Sequence, residues 1–292
     1  MSRQYELPDS RLRVLVTDHL AQRGVDVLRD TPGIEVEVRN DLTPTTLADC
    51  CRTADALIVR SASRVTAELL AAAPRLRAVG RAGVGVDNVD LEAATARGVV
   101  VMNTPGGNAI SAAEHTLSML LSLAKNIPQA AASMKEGKWE KSRFLSTELS
   151  GKVLGIIGLG RIGSEVARRA KAFNLRILVH DPYVSAERAE ALGVELVELP
   201  DLHRQSDFVT IHVPGTEETK NLIRADTIAR MKDGVRIVNC ARGGIVNEAD
   251  LCAALQSGKV AGAALDVFAQ EPITDSPLFR LPNFISTPHL GA

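Results

Sequence analysis

A chain of 292 residues is long for one domain and ample for two, and with 45% hydrophobic residues each half can bury a core. The net charge of -1, from 34 basic and 35 acidic residues, offers no electrostatic pull toward nucleic acid or an anionic membrane. No apolar run approaches the roughly 20 residues of a membrane span, and the polar start "MSRQYELPDS" lacks the apolar stretch of a signal peptide.

In chain order, short β-branched runs alternate with helical patterns. "LRVLV" (12–16), "IEVEV" (34–38), "ALIV" (56–59), "RAVG" (77–80) and "VVVM" (99–102) read as buried strands. Segments such as "HLAQRGVDVLRD" and "AELLAAAP" between them have helical spacing. Near-continuous apolar strands separated by helices predict parallel sheets covered on both faces. "NTPGGN" (103–108) interrupts the alternation, and the long helical stretch "SAAEHTLSMLLSLAKNI" follows. Ser111, with Glu114 three residues on, predicts a capping box at its start. "KEGKWEKSR" (135–143) reads as a solvated loop or, with Trp139 as anchor, a subunit contact.

The alternation then resumes with "KVLGII" (152–157), "RILVHD" (176–181), "VELV" (194–197), "DFVTIHV" (207–213), "VRIVNCA" (235–241), "AGAALDVF" (261–268) and "NFIST" (283–287). The expectation is an α/β protein of two doubly wound parallel-sheet domains, 1–104 and 105–292. Cys50, Cys51, Cys240 and Cys252 lack metal-ligand spacing, so no metal is expected, and reduced thiols in a cytoplasmic protein are.

"GLGRIG" (158–163) matches G-x-G-x-x-G, a weak pattern by itself. Its context is stronger: a strand precedes it, "SEVARRAKAF" follows as a helix, and the next strand ends in Asp181. Gly158 would allow the tight turn, Gly160 the approach of a pyrophosphate, and Gly163 close helix–strand packing. The N–H groups of Arg161 and Ile162 would face the pyrophosphate. Asp181 would accept from the adenosine ribose hydroxyls and repel a 2′-phosphate, which favours NAD over NADP.

Ligands of open parallel sheets bind beyond the carboxyl ends of the strands. Arg242, Glu271 and His289 all follow such ends, on the edge that carries "GLGRIG". Hydride transfer to or from a nicotinamide needs a proton carrier, which suits His289. A neighbouring carboxylate, Glu271, would orient the imidazole and favour its charged form. Arg242 could hold a substrate carboxylate with a bidentate fork. Asp266, inside an apolar strand, needs a partner: a structural ion pair or a contact near the nicotinamide. His115 falls inside a helix, His19 and His203 in helix-like exposed segments, and His180 and His212 near strand ends.

With those residues in hand, the chain resembles the D-isomer-specific 2-hydroxyacid dehydrogenases. The carrying strings are "GRAGVGVDNVDLEAATARGVVVMNTPGGNAISAAEHT", "GLGRIG", "VNCARGGIVNE", "AGAALDVF" and "STPHLGA", and the resemblance spans essentially the whole chain. It implies a Rossmann-type NAD domain with a flavodoxin-like substrate domain, and a catalytic set at Arg242, Glu271 and His289. It also implies cofactor contacts at Val84, Val213, Cys240, Ala241, Arg242, Asp266, His289, Gly291 and Ala292. Substrate contacts would fall on Arg60, Ser61, Arg81, Gly83 and Val84, with surface arginine the alternative for Arg60 and Arg81. Many members that act on phosphoglycerate carry a hydroxyl side chain where Val84 stands.

The implied activity is NAD-dependent oxidation of a phosphorylated 2-hydroxy acid, 3-phosphoglycerate, in the first step of serine synthesis. Reduction of glyoxylate, hydroxypyruvate or another D-2-hydroxy acid's keto form is the alternative. A corepressor-like NAD-sensing scaffold is the alternative of another class. The resemblance implies a homodimer paired through the long helix and the arm after it. Family members continue past "HLGA" with a helix returning to the first domain, so that helix and a serine-responsive regulatory domain are expected to be absent.

Overall fold

The computed structural model describes residues 11–291. They form two compact units, one ending at Gly107 and the other starting at Asn108.

The first unit alternates strand and helix: β1 (Leu12–Val16), α1 (Gln22–Arg29), β2 (Ile34–Val38), α2 (Pro44–Cys51), β3 (Ala56–Val59), α3 (Ala67–Ala72), β4 (Ala78–Arg81), α4 (Leu91–Ala96) and β5 (Val100–Asn103). Its sheet is wholly parallel with order β2-β1-β3-β4-β5, the flavodoxin-like winding. Local chemistry sets the helix starts. The Thr43 hydroxyl accepts from Thr46 N–H ahead of Pro44, and Asp90 does the same for Ala93 N–H. Leu57, Val59, Leu70 and Val79 fill the core between the sheet and the helices on one face.

The second unit opens with α5 (Ala109–Lys125) and α6 (Ile127–Lys135). It continues through β6 (Val153–Ile157), α7 (Arg161–Ala170), β7 (Arg176–His180), α8 (Ala186–Leu192), β8 (Glu195–Leu196), α9 (Leu199–Gln205) and β9 (Phe208–Ile211). It closes with α10 (Ala225–Ala229), β10 (Val235–Asn239), α11 (Glu248–Ser257), β11 (Val260–Leu265) and β12 (Phe284–Ser286). Its seven strands are all parallel, ordered β12-β11-β10-β9-β6-β7-β8, so the winding reverses between β6 and β9. A doubly wound sheet of this kind opens a crevice at that reversal. One face of the sheet is covered by α5, α7 and α8, the other by the apolar sides of α9, α10 and α11.

Helix α5 does not start at Ser111. It begins at Ala109, directly after the Pro105–Gly106–Gly107 turn, with Asn108 at the cap, no side-chain capping bond, and Ala112 N–H donating to Asn108 C=O. Ala109 is itself buried and the helix starts there, two residues before Ser111, while Glu114 points outward toward Arg169. Asn126, in the left-handed region at φ 53°, ends α5 and opens α6. Trp139 lies beyond α6 and is 82% exposed.

Each sheet carries a latch of the same kind. Asp55, just before β3, donates its N–H to the Arg13 carbonyl of β1 at 2.8 Å, and its carboxylate accepts Arg13 N–H at 2.9 Å. Arg75 neutralises it through a two-pronged contact. Asp207, just before β9, does the same to Val153 of β6, with a 2.8 Å carboxylate bond and Lys232 as counter-ion. Each latch closes the amino-terminal edge of its sheet, opposite the edge where ligands bind.

Candidate active site

Strand β6 runs into the turn Gly158–Gly163 at the winding reversal. Gly158 sits at φ +95°, and a Cβ there would meet the His212 carbonyl carbon at 2.9 Å. A Cβ on Gly163 would stand 2.1 Å from the Gly158 oxygen, so α7 packs on β6 only because that atom is missing. A Cβ on Gly160 meets nothing within 4 Å, which leaves open space before the helix. No side chain caps α7, so the N–H groups of Arg161 and Ile162 remain for an anion. Asp181, just past β7, accepts Leu159 N–H at 2.7 Å and Tyr183 N–H at 2.9 Å. The carboxylate is thereby fixed beside the glycine turn with lone pairs to spare for ribose hydroxyls. A dinucleotide fits this cradle.

The chemical groups emerge at the ends of β10, β11 and β12. Buried Asn239 shapes the first turn: its side chain accepts from Ala241 N–H at 3.0 Å and donates to the Arg242 carbonyl at 2.9 Å. The Arg242 guanidinium donates to the Ala241 carbonyl at 2.6 Å. A Cβ on the next residue, Gly243, would lie 1.7 Å from the Phe268 oxygen, so the Arg242 turn touches the backbone that leads to Glu271. Glu271 Oε1 accepts Phe268 N–H at 2.9 Å, and its Oε2 stands 2.7 Å from His289 Nδ1. An ionised carboxylate only accepts, so Nδ1 carries the proton and the Nε2 lone pair is left for another molecule. The imidazole is about one third exposed, which suits a proton carrier.

His289 has a left-handed backbone, φ 56°, an uncommon state for a side-chain-bearing residue. Asp266 holds it there. Its carbonyl accepts His289 N–H at 2.9 Å, and its carboxylate accepts Thr287 hydroxyl at 2.5 Å, Leu290 N–H at 2.7 Å and Gly291 N–H at 2.8 Å. Asp266 is 1% exposed, and His115 of α5 approaches the same oxygen at 3.3 Å and Thr287 at 3.0 Å. Both readings of Asp266 therefore meet a carboxylate already committed to the histidine loop. His115, set aside in the sequence as a helix residue, is the group the spacing did not reveal. Its pairing depends on α5 crossing behind β11 and β12.

Val213 follows β9, and Cys240 and Ala241 follow β10 at the same edge; Ala292 lies outside the described residues. Burial pushes the Cys240 thiol up to about 12, the neighbouring Asp266 charge adding to it, so with no cation beside it this thiol is protonated at neutral pH. His203 is not exposed: it is 2% exposed on the inner face of α9, and burial lowers it to about 4. His212, beside Thr210, is pushed down to about 3 by burial. His180 bonds the Val197 carbonyl, and His19 pairs with Asp41 at the surface of the first unit.

In the first unit, Arg60 and Ser61 follow β3, and Arg81 ends β4 with Gly83 and Val84 just beyond. Asp18, at φ 59°, accepts Arg60 N–H and Ser63 N–H at 2.9 Å each, and Ser63 hydroxyl at 2.6 Å. Asn88 donates to the Arg60 and Ser63 carbonyls from the other side. The Arg81 guanidinium lies against Gly83, and Val84 C=O accepts from Asn103.

The sequence profile described as D-isomer specific 2-hydroxyacid dehydrogenase, NAD binding domain, matches residues 117–291. A D-3-phosphoglycerate dehydrogenase from Synechocystis sp. is 49% identical over 280 residues, 96% of this chain and 50% of that protein. One from Archaeoglobus fulgidus is 50% identical over 282 residues, 96% of this chain and 53% of that protein. The chain thus spans about half the length of the curated relatives it matches. Among solved structures, D-lactate dehydrogenase from Aquifex aeolicus complexed with NAD and lactic acid superposes with a TM-score of 0.84. It is 31% identical and covers 95% of this chain and 88% of its own.

Proposed function

Because this chain belongs to the D-isomer-specific 2-hydroxyacid dehydrogenase family, we propose that it oxidises the C2 hydroxyl of 3-phosphoglycerate to the keto acid, the first step of serine synthesis. The observation that carries the reading is the 2.7 Å contact of His289 with Glu271 on the sheet edge that also holds the dinucleotide cradle. The Gly158–Gly163 turn and Asp181 would hold NAD, which would supply the hydride acceptor for C2. His289 Nε2 takes the hydroxyl proton, and Glu271 stabilises the imidazolium that forms. Arg242 holds the substrate carboxylate and polarises the developing carbonyl.

Arg60, Ser61 and Arg81 bind the phosphate and carboxylate from the first unit, which is the substrate domain in this reading. Val84 stands where many members that act on phosphoglycerate carry a hydroxyl: a contact through its backbone N–H would be kept, and one through the hydroxyl would be lost, with weaker cofactor affinity. The exposed apolar residues Ile127, Met134, Trp139 and Leu145 along α6 and the segment after it support self-association as a homodimer. The free thiols of Cys50, Cys51, Cys240 and Cys252 support a reducing compartment, the cytoplasm.

The deciding measurement is NADH formation with 3-phosphoglycerate, set against glycerate and lactate, with NADPH-linked glyoxylate reduction in parallel. Turnover that requires the phosphorylated acid is expected. Robust turnover of glycerate without the phosphorylated acid would make this a different D-2-hydroxyacid enzyme, and NAD binding without turnover of any acid would point to a sensing scaffold.

A further inference from the structure

Three residues remote in sequence bring metal-type ligands to one place in the second unit. His115 comes from the middle of α5, Cys240 from the turn after β10, and Asp266 from the end of β11. An imidazole nitrogen, the Cys240 Sγ and an Asp266 carboxylate oxygen all lie within 4.8 Å of one another. Tetrahedral zinc holds N, S and O ligands roughly 3.3–3.7 Å apart. Small rotations of the His115 and Cys240 side chains would close that difference.

The carboxylate is the unusual member. Its side chain has no exposed surface, and its ion-pairing partner is His115, which is charged only when protonated. Buried carboxylates are ordinarily paired with a fixed cation or bound to a metal. Asp266 Oδ1 meets Thr287 hydroxyl, Leu290 N–H and, at 3.3 Å, His115 Nε2, whereas among the described residues Oδ2 accepts from Gly291 N–H and keeps a lone pair. Those backbone donors are what a ligating carboxylate needs behind it to fix its orientation. The donor set is mixed imidazole, thiolate and carboxylate, which selects Zn²⁺ or its tetrahedral analogues over Mg²⁺ and Ca²⁺.

We propose that His115, Cys240 and Asp266 form a binding site for a soft divalent cation of the Zn²⁺ class. Binding releases the Cys240 thiol proton to solvent and forms Zn–S, Zn–N and Zn–O bonds with no change of oxidation state. The filled site ties α5 to the ends of β10 and β11, behind the loop that carries His289. A further consequence rests on the dinucleotide reading above: the cation engages two residues assigned to the cofactor side, so it inhibits turnover reversibly.

Co²⁺ is the probe. Titrated into the full chain, it should bind at one equivalent, with a near-ultraviolet sulfur-to-cobalt band and visible bands of tetrahedral intensity, and Zn²⁺ should displace it. Cys240→Ser should abolish the sulfur band, and His115→Leu should weaken binding by ~10-fold or more. Cys50→Ser, Cys252→Ser and His289→Asn should leave the spectrum unchanged. In a fold-independent check, Zn²⁺ should raise the unfolding temperature of the unaltered chain and not that of His115→Leu. No sulfur band, or a band that survives Cys240→Ser, would overturn the site, as would a signal lost in Cys50→Ser or His289→Asn. Because the spectra need neither substrate nor turnover, failure of the metal site and failure of the proposed reaction are separable.

Discussion

At the scale of single residues, the imidazole of His289 is the sharpest commitment. His289→Asn removes the proton acceptor but keeps a residue type that tolerates the left-handed backbone. Loss of kcat by roughly 10²–10⁴-fold is expected, with NAD affinity by fluorescence titration nearly unchanged. Full activity in the variant would remove His289 from the chemistry. Buried histidines give a second prediction. His203 is held near 4 and His212 near 3 in the folded chain, both below the ordinary 6.5. The unfolded chain therefore binds more protons below about pH 6.5, and the stability they contribute is present above that pH and lost as it falls through the folded values. Each residue adds a slope of at most about 1.4 kcal/mol per pH unit. Urea midpoints at pH 7.5 and pH 5 measure it, and His203→Gln should flatten the difference; an unchanged slope would show that His203 is not the source. Arg242, Glu271 and His289 were legible in the sequence because each follows an apolar strand, and strand ends define the working edge. The reach of His115 to Asp266 was not, because no spacing rule records which helix crosses behind a sheet.

Strand starts were legible to within one residue, strand ends less closely. β6, β7 and β10 begin at or one residue inside the apolar runs that announced them, while β9 and β11 stop short of theirs. The residues cut off, His212–Val213 and Asp266–Phe268, are those that turn away from the ladder to meet ligands or loops. The start of α5 was misplaced because the capping-box pattern at Ser111 is a local signal, and the helix starts at Ala109, itself buried, instead. The edges of the second sheet are blunted by length: β8 has two residues and β12 three, and Glu195 on β8 is clasped by Arg176. In the first unit, the turn after β3 has little regular structure and depends on Asp18. Asp18→Ala strips acceptors from Arg60 and Ser63 N–H groups and is expected to lower unfolding stability by about 1–3 kcal/mol and raise the KM for substrate. Asp18→Asn should recover part of both. Equal loss in the two variants would mean that the backbone conformation, and not the accepted hydrogen bonds, orders the turn.

Across the molecule, each unit separates what keeps it folded from what it does. The carboxylate latches of Asp55 and Asp207 close one edge of each sheet with the same bonds to the start of that unit's first strand. The glycine turn, Arg242, the Glu271–His289 pair and the Arg60 turn all stand on the opposite edges. Composition and strand alternation made this two-sheet plan legible, but the matching latches were not, since a lone Asp before a strand is unremarkable in sequence. The duplication has a practical consequence for anyone wishing to watch this protein at work. Turns on the latched edge, such as the one at Gly234 and the one at Gly258, have free space around them and no part in the chemistry. A fluorophore or a surface tether attached there would stand clear of the edge where ligands bind.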